Sequence, residues 1–204
     1  MKISPQNENL DLIFLMDRSG SMSGSEQDTI GGFNSFIQRE KKKEFNTRVT
    51  TILFDDHYEV LYKRKSIYEV DKLTDKEYWV RGCTALLDAI GKTINTLDKE
   101  IDNKVLFVIM TDGMENSSRE FSKDQIRSLI NNHNWEFIFI GADIDSYSEA
   151  GHIGISKSRT ANYRKSREGF NDVFLSAECA ADEMRCGHNL EEVNWKNRLD
   201  KYDD

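Results

Sequence analysis

Four short segments of the chain are almost wholly apolar: Leu10–Met16, Val49–Phe54, Lys104–Met110 and Trp135–Ile140. Continuous rather than alternating apolarity predicts strands covered on both faces, as in a parallel sheet held between helices. His57–Tyr62 follows the second segment after only Asp55-Asp56, which predicts a hairpin and therefore one antiparallel edge strand. Helical spacing fills the intervals. Ser25-Glu-Gln-Asp28 predicts a capping box before Ile30, Phe33, Phe36 and Ile37. Thr84 is expected to open a second helix carrying Leu86, Leu87, Ile90, Ile94 and Leu97 on one face. Ser122-Lys-Asp-Gln125 predicts a third helix, with Ile126, Leu129 and Ile130. Phe170, Val173, Phe174, Ala177, Ala181 and Met184 define a last one.

The predicted order is β-α-β-β-α-β-α-β-α, with a short further strand near Ile153–Ile155. Such alternation implies the α/β class, with a mostly parallel sheet between helical layers. There is no internal repeat and no linker rich in Gly, Ser or Pro. One domain over residues 1–186 is therefore expected, followed by a polar tail, 187–204. In that tail Leu190, Val193 and Leu199 are placed to anchor a last helical turn. Lys41-Lys42-Lys43 reads as the end of the first helix, where cations suit the helix dipole.

Composition narrows the setting. The 204 residues carry 28 basic and 36 acidic side chains, a formal charge of −8. That balance argues against nucleic-acid binding and against adhesion to anionic membranes, both of which need a basic surface. The single proline, Pro5, and 10% aromatic residues argue against a disordered chain. The apolar run Leu12–Met16 is bracketed by Asp11 and Asp17, and no stretch is long enough to span a bilayer or to form the core of a secretory signal. Three cysteines, an odd number without framework spacing, point to a reducing, cytoplasmic compartment. Cys179, Cys186 and His188 lack a CxxC pair and a fourth ligand, so idle thiols are expected rather than zinc.

Candidate chemistry lies where the strands end. Asp17-Arg18-Ser19-Gly20-Ser21 follows the first strand, Thr111-Asp112-Gly113 follows the strand ending at Met110, and Gly82-Cys83-Thr84 precedes the second helix. In open α/β sheets ligands bind at that carboxyl edge. Asp17, Ser19, Ser21, Thr84 and Asp112 are all hard oxygen donors, which suit Mg²⁺. Residues 17, 19 and 21 alternate along a turn that Gly20 lets bend sharply, so their side chains can converge. Each element alone is an ordinary turn or cap; the conjunction of three loops carries the expectation.

Enzyme signatures are weaker. The P-loop pattern and the G-x-G-x-x-G fingerprint are absent. Gly20-Ser-Met-Ser-Gly24 puts Met22, not serine, where a nucleophile elbow needs its nucleophile. None of His57, His133, His152 and His188 falls in the three loops.

Asp17-x-Ser19-x-Ser21, Thr84 within Gly-Cys-Thr-Ala-Leu-Leu-Asp-Ala-Ile, and Asp112 within Thr-Asp-Gly-Met-Glu-Asn resemble the metal-ion-dependent adhesion site of von Willebrand factor type A domains. The resemblance covers residues 8–186 and is greatest to the small stand-alone bacterial members. It implies a doubly wound, Rossmann-like sheet with helices on both faces and one antiparallel edge strand. It implies that Ser19, Ser21 and Thr84 contact a cation, while Asp17 and Asp112 bind it directly or through water. Cys83 departs from the family, many of whose members have glycine there.

The expected function is cation-dependent capture of a protein that presents an Asp or Glu carboxylate. Mg²⁺ is the expected ion, with Mn²⁺ or Ca²⁺ as alternatives. Arg18, Met22, Met114, Glu115 and Asn116, together with the loop Trp79–Gly82, are expected to form the partner rim. The rival readings are a metal-dependent phosphoester or ester hydrolase, and a scaffold whose ion is only structural.

Overall fold

The computed structural model of the chain describes residues 9–203. The first eight residues of the expected domain and the final Asp204 of the expected tail lie outside the described residues. The elements run β1 (Leu10–Asp17), α1 (Glu26–Lys41), β2 (Thr47–Phe54), β3 (Tyr58–Ser66), α2 (Leu86–Leu97), β4 (Lys104–Thr111), α3 (Lys123–Asn132), β5 (Glu136–Gly141), α4 (Ser146–His152), β6 (Thr160–Asn162) and α5 (Arg167–Arg185).

The six strands form one sheet in the order β3-β2-β1-β4-β5-β6. Every pairing is parallel except β2 with β3, the antiparallel edge. Alternate residues of the central strands feed two cores. Leu12, Phe14 and Met16 of β1 join α1 and α5 on one face, while Ile13 and Leu15 join α2 and α3 on the other. This double burial is why the strands read as unbroken apolar runs. On the first face the Phe14 ring lies 5.8 Å from Phe33 and 5.0 Å from Phe36, both edge-on. Helix α5 approaches α1 closely there: a Cβ added to Gly32 would stand 2.4 Å from the Phe174 ring.

Several local expectations change. Ser122 forms the full capping box with Gln125, but the Ser25 side chain makes no cap bond. Thr84 does not begin α2; the helix starts at Leu86, and the Thr84 backbone is bonded elsewhere. The strand expected at Ile153–Ile155 is absent. Those residues follow α4, with Ile153 and Ile155 buried on either side of a left-handed Gly154 (φ +90°), and the sixth strand comes later, at Thr160–Asn162. A three-residue strand is too short to print a period on the sequence.

Residues 187–203 fold back onto the domain. Leu190, Trp195 and Leu199 are fully buried in the core that contains β1. Trp195 Nε1 donates to the Ser158 carbonyl at 2.9 Å. Among the described residues no helix is long and apolar enough to cross a membrane.

Candidate metal centre

The chain leaves β1 toward α1 on one face of the sheet, and β3 returns to β4 through α2 on the other. The two connections diverge above the neighbouring ends of β1 and β4, which opens a crevice there. The β1–β4 register pairs Met16 with Met110 and so sets Asp17 beside Thr111. Thr111 Oγ1 donates to Asp17 Oδ2 at 2.6 Å, the Ser19 N–H donates to Asp17 Oδ1 at 2.6 Å, and Tyr78 Oη donates to the Asp17 carbonyl at 2.5 Å. Asp17 is buried. Desolvation pushes its carboxyl up to about 6, although the bonds from Thr111 and Ser19 pull the other way.

Ser19 Oγ and Ser21 Oγ lie 3.0 Å apart, and Ser21 Oγ donates to Asp112 Oδ1 at 2.5 Å. Thr84 closes the group. A Cβ placed on Gly113 would stand 2.6 Å from Thr84 Oγ1, 3.3 Å from Ser21 Oγ and 3.5 Å from Ser19 Oγ. Any side chain at position 113 would fill the cradle those three hydroxyls make, so glycine there has a steric reason. The structure thus gathers Ser19, Ser21, Thr84 and Asp112 at one place, with Asp17 fixed at its base.

The loops are stapled by backbone bonds. The Gly20 N–H donates to the Gly82 carbonyl at 3.1 Å, and the Arg81 N–H donates to the Arg18 carbonyl at 2.9 Å. The Thr84 N–H donates to Asn116 Oδ1 at 3.0 Å, while the Asn116 N–H donates to the Thr84 carbonyl at 3.1 Å. The Glu115 carboxylate accepts from the N–H groups of Leu87, Ser117 and Ser118, so it caps the start of α2. Glu115 and Asn116 were expected on the partner rim; both do structural work, holding the Thr84 loop against the Asp112 loop.

Two further rim assignments are corrected. Arg18 is fully buried: its Nε donates to Asp55 Oδ2 at 3.0 Å, and Nη1 lies 2.8 Å from Glu59. Alternation past β1 turns residue 18 away from its neighbour Asp17 and toward β2 and β3. Met22 is also buried, in the α1–α5 core. Met114, by contrast, is 61% exposed and Trp79 43%. The Trp79 ring lies beneath two guanidinium groups, Arg81 at 4.7 Å and Arg18 at 5.4 Å.

Sequence reasoning missed Tyr78 and Lys165. Lys165 Nζ lies 3.0 Å from Asp112 Oδ2 and 2.9 Å from Asp143 Oδ2, and donates to the Ser21 carbonyl at 3.3 Å. Neither residue belongs to a motif, and only folding brings them to the crevice. A second acidic group, Asp55, Asp56 and His57, has ligand atoms within 4.8 Å of one another. Asp55 already accepts from Arg18 and Arg81, so its charge is neutralised inside the protein.

The sequence profile of the von Willebrand factor type A domain matches residues 11–174. The chain belongs to that family. No protein of curated function matches it. Solved structures share the fold. Proximal thread matrix protein 1 from the mussel byssus is 18% identical with a TM-score of 0.64, over 83% of this chain and 45% of that one. A crystal form of the same mussel protein with a zinc-occupied MIDAS motif gives 0.59 at 18% identity, over 88% and 46%. The ArnB paralog VWA2 from Sulfolobus acidocaldarius gives 0.61 at 18% identity, over 83% and 45%. The chain spans less than half the length of these proteins.

Proposed function

We propose that this chain is a cation-dependent protein-binding module whose site is Asp17, Ser19, Ser21, Thr84 and Asp112. The observation that carries the reading is the convergence of hydroxyl and carboxylate oxygens from three separate loops around Gly113. The donor set fits a hard divalent ion: all five side chains offer oxygen, and the two buried carboxylates match its charge. When bound, such an ion offers an electrophilic position that an Asp or Glu of another protein can fill.

The residues of this chain prepare that position. Thr111 and Ser19 orient Asp17, Ser21 orients Asp112, and Asn116 with Glu115 fixes the loop that presents Thr84. Mg²⁺ is the proposed ion, with Mn²⁺ or Ca²⁺ as alternatives; zinc occupies the corresponding motif in the mussel protein. Exposed Met114 and Trp79 offer apolar contact to a partner's flanking residues. The four histidines are engaged away from the five site residues: His57 with Asp55 and Asp56, His133 with Asp98, His152 near Glu149, and His188 with Glu183. This supports binding over histidine-assisted hydrolysis. The three cysteines are unpaired, which supports a reducing, cytoplasmic setting.

The test is capture of protein partners with and without EDTA, by the wild-type chain and by Thr84→Ala and Asp17→Ala. Loss of the same partners in all three conditions is expected. Capture unaffected by EDTA and by both substitutions overturns the reading.

A further inference from the structure

Lys165 lies in the turn between β6 and α5, and that turn is fixed at both ends. On one side the Tyr163 N–H donates to the Gly141 carbonyl at 2.9 Å, and its fully buried ring packs edge-on against Phe170 at 5.2 Å. On the other side Ser166 caps α5, its hydroxyl accepting from the Gly169 N–H at 3.1 Å. A Cβ on Gly169 would collide with the Arg164 carbonyl, so the backbone is closely packed on itself here. The lysine is therefore aimed, not free. Its ammonium touches the metal-site loops at two points, Asp112 Oδ2 at 3.0 Å and the Ser21 carbonyl at 3.3 Å, and its side chain is 28% exposed.

The two oxygens of Asp112 are thus divided. Oδ1 accepts from Ser21 within the hydroxyl cluster, and Oδ2 faces Lys165. Asp112 cannot give its full charge to an ion, because a fixed positive charge already leans on it. Asp143, the other partner of Lys165, has a side chain 62% exposed, so water screens much of its compensation. Resting on the cation reading above, we infer that Lys165 is a tethered counter-cation: it weakens divalent-ion binding at Asp112 in the free protein and leaves the bound ion dependent on a carboxylate supplied by the partner. Two like charges that share one carboxylate repel, and the repulsion is relieved when a second carboxylate arrives. Lys165 is in this sense a positioning and charge-setting residue. It makes ion affinity and acidic-partner affinity rise together, as linkage requires.

The test measures binding of Mn²⁺ alone, by electron paramagnetic resonance and by calorimetry. Wild type, Lys165→Met, Lys165→Gln, Lys165→Arg and Thr84→Ala are compared at low and high ionic strength, with circular dichroism to confirm folding. Removing a unit charge that stands 3.0 Å from a carboxylate of the site is expected to tighten Mn²⁺ binding on the order of tenfold in Lys165→Met and Lys165→Gln. Lys165→Arg is expected to stay near wild type, and the gain to shrink at high salt. A merely structural lysine would not give a salt-dependent gain that arginine abolishes. Unchanged or weaker Mn²⁺ binding in folded Lys165→Met and Lys165→Gln overturns the inference while leaving the site intact. If no variant binds Mn²⁺, or if Thr84→Ala binds it as well as wild type, the cation site itself falls and this inference with it.

Discussion

Thr111 Oγ1 donates a 2.6 Å hydrogen bond to the inner carboxylate oxygen of Asp17, and both side chains are buried. The bond joins the ends of β1 and β4 at the point where the chain connections part. It is also the largest hydrogen-bond influence holding the Asp17 carboxyl down against the greater effect of burial. Thr111→Val keeps the shape and removes the donor. The expected cost is about 1–3 kcal/mol, because a buried acceptor loses its partner. Urea unfolding of the EDTA-treated protein measures it; a midpoint equal to wild type would show that Asp17 finds another donor.

Arg18 forms the buried counterpart to the site. It faces Asp55 and Glu59 rather than solvent, and Asp55 is fully buried between Arg18 and Arg81. Arg18→Ala leaves Asp55 with Arg81 as its only arginine partner. The expected destabilisation is about 3 kcal/mol, since removing one partner of a buried pair strands the other. Arg18→Met, which fills more of the space, is expected to lose less. Thermal unfolding of the two variants tests the order. If Arg18→Ala melts with wild type and instead loses acidic partners, Arg18 belongs to the binding rim after all.

Trp195 tests the C-terminal segment. It is fully buried, and its indole N–H is bonded to the Ser158 carbonyl. Trp195→Ala is expected to cost about 3–5 kcal/mol, the range for a large aromatic truncated in a core. Trp195→Phe should recover most of the packing but not the hydrogen bond. A chain ended after residue 186 should unfold at lower temperature than Trp195→Ala. Equal melting of the shortened and full chains would show that the segment only lies on the surface.

Much of the architecture was legible along the chain. Leu12, Phe14 and Met16 alternate with Ile13 and Leu15 between two cores, so both faces of the strand had to be apolar. That pattern, with Asp55-Asp56 before the hairpin, implied the sheet and its antiparallel edge. Asp17, Ser19, Ser21, Thr84 and Asp112, the site proposed above, could be singled out because their residue types and their places after strands or before a helix are local facts. Tyr78, Lys165 and Trp195 could not. Each acts through a contact with residues far away in sequence, at separations of 61 for Tyr78 with Asp17 and 37 for Trp195 with Ser158, and no local period records such a pairing.

The direction of side chains was the other quantity that required the fold. Arg18, Met22, Glu115 and Asn116 all flank the site in sequence, and proximity alone suggested a rim. Asn116 stays exposed while bonding the Thr84 loop, but packing turned the other three to different tasks. Arg18 was drawn to the buried Asp55, Met22 to the α1–α5 core, and Glu115 to the Leu87 N–H at the start of α2. The sequence by itself determined most of the elements, though not α4 or β6, and singled out the oxygens proposed to meet a cation, because hydrophobic period and residue chemistry are local. Only the tertiary structure decided which charges are spent inside the protein and which, like Lys165 against Asp112, bear on the site, because electrostatic pairing depends on distance in space.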